Sequence, residues 1–249
     1  MTVDKLTITS LHLELFFDSA YLSSATGFVI EKDSKYYLAT NWHVVSGRHP
    51  KTNKPISSTG VIPNKMRVWH NQKDKLGNWI AKDYPLQEKG ASLWKEIDIG
   101  SEKADVVILP FEDSGDISLY PLDLNLKDVD LLVSPSEDLS IIGFPYGKAS
   151  DGKFAIWKSG NLASDEDINY DNKPIFLIDA TTKGGMSGSP VFAIRIGQVR
   201  SSQGLNIGSS ATRFLGVYSG RITGEGVEDI PDIGLVWKTS VLDQLLSMV

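Results

Sequence analysis

Short runs of alternating apolar and polar residues recur along most of the chain. In residues 7–17, three leucines fall on one side of the alternation, while His12 and Glu14 fall on the other. A period of two is typical of a half-buried β-strand, so we predict a strand here with a solvated His12. Comparable apolar runs, bounded by polar or glycine-containing turns, lie at residues 25–31, 36–40, 106–111, 174–180, 214–219 and 233–237.

The last residues of the chain show a helical repeat instead. Thr239 or Ser240 can cap a helix at its start. The apolar face of this helix would carry Val241, Leu242, Leu245, Leu246 and Val249. About a dozen short strands, one closing helix and no alternation of strands with helices together predict an all-β barrel protein.

Composition narrows the function classes. The chain has 249 residues and a formal net charge of −6, with no block of Lys or Arg, which argues against nucleic acid as a partner. The first residues lack a secretion signal, and no apolar run reaches the roughly 18 residues of a membrane span, so we expect a cytoplasmic location and no membrane partner. The chain has 0 cysteines, its 4 histidines are scattered, and it has no phosphate-binding glycine loop, so we expect no metal and no cofactor.

The most informative stretch is residues 184–192, which reads GGMSGSPVF and contains Ser187. A serine hydroxyl becomes a useful nucleophile when backbone N–H groups can hold a developing oxyanion and an imidazole lies within hydrogen-bond reach. The two glycines before Ser187 permit backbone conformations that a Cβ would forbid, and the glycine after it leaves room for substrate. Pro190 is expected at the first residue or the edge of the next strand. This pattern predicts a nucleophile loop.

A base and an orienting acid are needed beside this serine. His43 follows the end of a predicted strand, where its ring can project at an edge, although an isolated histidine is more often a structural residue. Asp105 opens a buried apolar strand, where its carboxylate must be paired, and a histidine N–H is one such partner. The alternative for Asp105 is a cap on a backbone amide. Asp98 is the rival for the orienting role and ranks second, because no long apolar strand follows it.

Three separated stretches resemble the chymotrypsin-like (trypsin-like) serine proteases. TGFVI from Thr26, with LATNWHVV around His43, is similar to their histidine segment; ADVVIL around Asp105 is similar to their aspartate segment; and GMSGSP around Ser187 is similar to their serine segment. The order His, Asp, Ser is also the order of that family. Within it, Thr181-Thr182 ahead of the serine segment is similar to the loop of the bacterial glutamyl endopeptidases, and the GFPYG turn at residues 143–147 is similar to both that branch and the Deg-type proteases.

The resemblance implies two six-stranded antiparallel β-barrels and a short C-terminal α-helix. Residues 1–125 would form the N-terminal barrel with His43 and Asp105, and residues 126–249 would form the C-terminal barrel with Ser187 and the closing helix. By the same resemblance, His43 is the general base, Asp105 fixes its tautomer, and the backbone amides of Gly185 and Ser187 form the oxyanion hole.

Met186 departs from the family, which usually has Asp or Asn before the serine. Since Met186 cannot form an ion pair with a newly cut N-terminus, we expect no activation by N-terminal cleavage. A resting state with one oxyanion-hole amide turned away stays an open alternative. The resemblance places the substrate side-chain pocket at Thr181, Thr182, Tyr218, Ser219, Gly220 and Arg221. Arg221 can pair with a carboxylate or point to solvent, and we expect a preference for acidic or small polar residues before the cut.

Together these residues predict a serine endopeptidase that hydrolyses peptide bonds through an acyl-enzyme. Its partners would be a protein or peptide substrate and a regulatory protein. The alternatives are a protease-like binding module that no longer cuts, an esterase with the same triad, and the regulated cutting subunit of a stress or defence complex.

Overall fold

The computed structural model describes residues 2–222 and 232–249. Nearly half of the described residues lie in β-strands, which fall into two groups along the chain. The strands of the first group are β1 (Ser10–Phe17), β2 (Ala20–Lys32), β3 (Lys35–Thr40), β4 (Lys65–Gln72), β5 (Lys75–Pro85), β6 (Gln87–Glu88), β7 (Ala91–Ser92), β8 (Asp98–Ile99), β9 (Glu102–Lys103), β10 (Val107–Phe111) and β11 (Ile117–Ser118).

The strands of the second group are β12 (Asp138–Gly143), β13 (Ile156–Leu162), β14 (Ile175–Asp179), β15 (Pro190–Ser201), β16 (Gly204–Arg221) and β17 (Ile233–Lys238). The helices are α1 (Lys5–Thr9), α2 (Trp42–Ser46) and α3 (Thr239–Leu246), with 3-10 turns at Leu124–Asp128, Pro145–Gly147 and Tyr170–Asn172. None of the described helices has both the length and the apolar character needed to span a membrane.

Seven strands of the first group form an antiparallel sheet in the order β10-β3-β2-β1-β4-β11, with β5 paired to β4, while β6 pairs with β7 and β8 with β9 in two small separate sheets. Among the described residues the hydrogen bonds of the larger sheet do not close into a ring. The outer edge of β10 pairs with Lys95 instead, through N–O distances of 2.8 Å and 3.3 Å to Ile108. Pro110, two residues on, points to the same edge and has no N–H to donate, so further pairing there is blocked.

The second group forms a closed barrel in the order β12-β13-β14-β17-β16-β15. The predictions of an all-β fold and of a C-terminal helix are confirmed, whereas two closed six-stranded barrels are not, because only the second ring closes in the described residues. α3 buries Val241, Leu242, Leu245 and Leu246, as its pattern predicts. The boundary near residue 125 stays a prediction; residues 119–137 between β11 and β12 contain only one 3-10 turn.

The two halves share a core. One apolar cluster fills the sheet, a second fills the barrel, and a third runs between them and under α3, with Phe28 and Ile108 from the first half and Phe144 and Trp237 from the second. This third cluster is apolar and mostly buried, so it holds the sheet and the barrel together beside a cleft that residues of both halves line.

The prediction of a solvated His12 is wrong. Residues 5–9 form α1, and β1 begins only at Ser10, in the middle of the sheet. The ring of Phe144 from the second half lies 4.9 Å from the ring of His12 and covers it, so His12 is only 3% exposed. Burial, and then the positive charge of Lys153, lower the pKa of His12 to about 4, so its ring is neutral at neutral pH.

Candidate active site

His43 lies on a single helical turn at the end of β3. Asn41 precedes α2 in an extended conformation, and the turn ends at Gly47, whose N–H donates to the carbonyl of His43. Gly47 has φ +64°, the left-handed conformation that commonly terminates a helix. The short turn places the side chain of His43 at the edge of the sheet, partly exposed, as the sequence predicts.

Asp105 is buried, at 3% exposure, and its carboxylate accepts three hydrogen bonds. Oδ1 accepts from the backbone N–H of His43 at 2.8 Å. Oδ2 lies 2.6 Å from Nδ1 of the same histidine and 2.5 Å from the hydroxyl of Ser219, which donates to it. The first bond fixes which carboxylate oxygen faces the imidazole. Asp98 lies elsewhere, exposed and paired with Lys103 at 2.8 Å, so the structure brings Asp105 and not its rival to His43.

The serine loop takes its shape from two glycines at positive φ. Gly185 has φ +91°, and a Cβ there would lie 2.3 Å from the carbonyl oxygen of Phe144. Gly188 has φ +86°, and a Cβ there would lie 2.0 Å from the carbonyl oxygen of Thr26 in β2. Side chains are excluded at both positions, because the loop is pressed against each half of the protein. Pro190 is the first residue of β15, as predicted.

Two contacts fix the peptide groups on either side of Gly185. The carbonyl of Gly184 accepts a hydrogen bond from the N–H of Tyr146 at 2.6 Å. Since the chain has no cis peptide bonds among its described residues, the N–H of Gly185 points the opposite way. The carbonyl of Gly185 accepts from the hydroxyl of Thr26 at 2.8 Å. Within the described part of the chain, neither Gly185 N–H nor Ser187 N–H donates a hydrogen bond.

Thr26 holds the serine loop in place, a role that the sequence does not predict. It is fully buried, and besides its bond to Gly185 its hydroxyl accepts from the N–H of Phe144 at 3.1 Å. Its own N–H donates to the carbonyl of Ser187 at 2.9 Å. The side chain of Met186 supplies a second anchor, because it is fully buried in the apolar core of the barrel. An apolar contact at Met186 therefore holds this side of the loop.

We expect Thr26→Val to slow reaction of Ser187 with an active-site probe by about tenfold, because it leaves the carbonyl of Gly185 and the N–H of Phe144 buried without partners. Thr26→Ser keeps the hydroxyl and should react nearly as fast as wild type. The measurement is the rate of probe labelling, with melting temperature recorded for both variants. Equal labelling rates for the two variants would contradict this role of the Thr26 hydroxyl.

Ser187 and His43 line the same cleft, of about 780 Å³, together with Asp105. The hydroxyl of Ser187 donates to the carbonyl of Ser219 at 3.3 Å, and no hydrogen bond joins it to the ring of His43 in the described structure. Catalytic hydrogen bonds are often long or misaligned without substrate and tighten when it binds. Among the described residues, no group of three or more His, Asp or Glu could hold a metal ion.

The residues predicted for the side-chain pocket divide between different environments. Thr182, Tyr218, Gly220 and Arg221 line the cleft, whereas Thr181 is exposed and is not part of the lining. Ser219 also lines the cleft, but its hydroxyl is bound to Asp105. The hydroxyls of Thr182 and Tyr218 are hydrogen-bonded to each other and buried. Burial raises the pKa of Tyr218, against the Thr182 hydrogen bond and the charge of Arg221, so the phenol keeps its proton at neutral pH.

Comparison with known proteins identifies the class. Residues 25–200 match the trypsin-like peptidase domain family, which is more than half of the chain. The chain therefore belongs to this family and is a serine protease of the trypsin-like type. Comparison with curated protein sequences gave no significant match.

Solved structures of proteases have the same fold. Rv3671c from M. tuberculosis, in an inactive form, has 17% identity and a TM-score of 0.51, over 98% of this chain and 87% of that chain. The serine endoprotease from Yersinia pestis has 14% identity and a TM-score of 0.52, over 97% of this chain but only 62% of that one. The MamO protease domain from Magnetospirillum magneticum has 13% identity and a TM-score of 0.51, over 98% and 97% of the two chains. At these identities the likeness concerns the fold alone.

Proposed function

We propose that the protein is an endopeptidase in which Ser187, His43 and Asp105 act as a catalytic triad. The observation that carries the proposal is the buried carboxylate of Asp105, which meets Nδ1 of His43 at 2.6 Å in a cleft that Ser187 also lines. The acceptor role of Asp105 leaves Nε2 of His43 without its proton and available as the base. A buried carboxylate paired with an imidazole at a cleft is typical of a site for nucleophilic catalysis.

The reaction follows from these positions. Nε2 of His43 takes the hydroxyl proton of Ser187 as Oγ attacks the carbonyl carbon of the peptide bond. The resulting oxyanion accepts hydrogen bonds from the N–H groups of Gly185 and Ser187, and His43 then gives its proton to the leaving amine. The C–N bond breaks and leaves an ester on Ser187. Water attacks this ester, with His43 again as base, and releases the acid and the free serine.

The free N–H groups support an oxyanion hole that exists without activation. The carbonyl of Gly184 is held by the N–H of Tyr146 and the carbonyl of Gly185 by the buried hydroxyl of Thr26, so neither peptide group can turn without breaking a hydrogen bond. Each oxyanion donor is worth roughly 3–4 kcal/mol of barrier in such enzymes. The fixed geometry favours this state over one in which an amide is turned away.

A fluorophosphonate probe tests the proposal directly. It reacts with serines that are activated by a base, so the wild-type protein should become labelled, with the adduct located on Ser187 by mass spectrometry. A folded protein that stays unlabelled would favour a protease-like binding module that no longer cuts. Labelling with turnover of esters but not of peptides would favour an esterase.

We also propose a preference for acidic or small polar residues before the cut. The cations Lys51, Lys103, Lys173, Lys183 and Arg221 and the anions Glu102, Asp105 and Asp171 line the cleft, although the chain as a whole carries −6. Lys103 and Lys173 form ion pairs with carboxylates, so the excess of positive charge comes from Lys51, Lys183 and Arg221. A positive cleft attracts acidic peptides. Arg221 lies close enough to Tyr218 for its charge to act on the phenol, at the pocket beside Ser187.

In a peptide library, we expect cleavage after Glu, Asp or small polar residues. Arg221→Gln should lower kcat/KM for a Glu peptide by about tenfold, as expected for loss of a charge-assisted hydrogen bond, and leave the matched Gln peptide nearly unchanged. Lys183→Gln, which removes an exposed cation of the same cleft, is the control. Preference for Arg, Lys or large aromatic residues would exclude this specificity.

A further inference from the structure

Two buried tryptophans donate to one carboxylate oxygen. The indole N–H groups of Trp42 and Trp94 each lie 2.7 Å from Oε2 of Glu96. The two tryptophans are 5% and 7% exposed and belong to the apolar core of the sheet. A carboxylate oxygen has two lone pairs, so it can accept both bonds at full strength, and bonds to a charged acceptor are the stronger kind.

The other carboxylate oxygen of Glu96 is neutralised by a lysine. Oε1 lies 2.9 Å from the ammonium of Lys103, and the side chain of Glu96 is 30% exposed. Burial tends to raise the pKa of Glu96, but the hydrogen bonds from Lys103, Trp94 and Trp42 outweigh it and lower the pKa below its usual value. The carboxylate is therefore charged at neutral pH and able to hold both indoles.

The contact of Trp42 with Glu96 lies next to His43 in the chain. Trp42 is the first residue of α2 and immediately precedes His43. The two residues around it are tied to the same neighbouring segment: Asn41 donates to the carbonyl of Asp105 at 2.6 Å, and the N–H of His43 donates to the carboxylate of Asp105 at 2.8 Å. Three consecutive residues are thus fixed to the segment that runs from Glu96 to Asp105.

We propose that Glu96 is a positioning residue, which holds the turn of α2 through the indole of Trp42 and so aligns His43 with Ser187. Glu96 does not touch substrate or the reacting atoms. It acts because α2 is a single turn of 5 residues, too short to hold its own orientation without outside contacts. Small displacements of a catalytic group have large effects on rate. The inference rests on the proposed triad.

Two matched substitutions test it. Trp42→Phe and Trp94→Phe each remove one indole N–H from the same oxygen and keep an aromatic ring in the core, but only Trp42 adjoins His43. We expect Trp42→Phe to lower the maximal rate of fluorophosphonate labelling by about tenfold, with little change in the probe concentration at half-saturation. Trp94→Phe should change the labelling rate by less than about threefold. Melting temperatures measured beside the rates show whether both variants stay folded and how far each is destabilised.

Glu96→Gln and Glu96→Ala complete the design. The amide oxygen of glutamine can still accept from the indoles, so Glu96→Gln should label faster than Glu96→Ala if positioning matters. Equal losses for Glu96→Gln and Glu96→Ala would assign the effect to the charge and overturn the proposal. The proposal would also be overturned if Trp42→Phe and Trp94→Phe slowed labelling by the same factor for each degree of melting temperature that they lose. If the wild-type protein fails to label, the proposed triad itself is refuted. If all variants label at equal rates, only the role of Glu96 is refuted.

Discussion

Replacing Ser187 by alanine is expected to abolish labelling by a fluorophosphonate probe and to reduce peptide hydrolysis by about 10⁶-fold, because the substitution removes the only atom that forms the acyl bond. His43→Ala should have an effect of the same order, since the serine and its base act as a unit. The measurements are labelling detected by mass spectrometry and turnover of a peptide found in the library experiment. The fold should survive, since among the described residues the side chain of Ser187 makes a single hydrogen bond, a long one to the carbonyl of Ser219.

Ser189 provides a control from the same loop. Its hydroxyl is fully buried and has no hydrogen-bond partner among the described residues, so Ser189→Ala removes a group that contributes no bond. Deleting an unsatisfied buried polar atom is close to neutral. Ser189→Ala should therefore label like wild type. Persistent labelling of Ser187→Ala, or loss of labelling in Ser189→Ala, would show that the nucleophile has been misassigned.

The sequence predicts some parts of the site better than others. Ser187, His43 and Asp105 each belong to a local pattern: a glycine-rich turn, the end of a strand and the start of a buried run. The structure brings His43 to Asp105 and places both in a cleft with Ser187. A local pattern reports the backbone conformation of its own segment, which is why these residues can be proposed for the site without coordinates.

Contacts between distant segments leave no such pattern. The hydroxyl of Ser219 reaches Asp105 across 114 positions, and the hydroxyl of Thr26 reaches Gly185 across 159 positions. Neither residue type is unusual in a strand, so nothing local marks Thr26 as part of the site, or Ser219 as a partner of Asp105 in addition to its predicted place in the side-chain pocket. The same limit explains His12, because its cover comes from Phe144 in the other half, and alternation within β1 carries no information about that face.

The fold shows the same limit. Alternation predicts strands, and most of the predicted runs are strands, but it does not predict how a sheet ends. The first sheet stays open in the described residues because Lys95 occupies the edge of β10 at Ile108 and Pro110 cannot extend the pairing. The proline can be read from the sequence, but the pairing of Lys95 with the edge of β10 depends on how the chain folds in three dimensions.

Asp105→Asn is expected to lower the rate of labelling and of hydrolysis by about 10⁴-fold while leaving the fold in place. Oδ1 of Asp105 accepts the backbone N–H of His43, which cannot reverse its polarity, so the amide oxygen of asparagine must occupy that position. The amide NH₂ then faces Nδ1 of His43 and can only donate to it. The imidazole is forced into the tautomer with its proton on Nε2, where it cannot accept the proton of Ser187.

The comparison with Asp98→Asn decides between the two aspartates for the orienting role. Asp98 is exposed, and in the described structure its side chain pairs with Lys103 alone, so its substitution should leave the labelling rate near that of wild type. The labelling rate of Ser219→Ala should lie between the rates of the two aspartate variants, about tenfold below wild type. This substitution removes one charge-assisted bond to Oδ2 of Asp105 and leaves the imidazole of His43 in its working tautomer. If Asp105→Asn labelled as fast as Ser219→Ala, the tautomer of His43 would not be controlled by Asp105, and the carboxylate would serve only to hold the turn of α2.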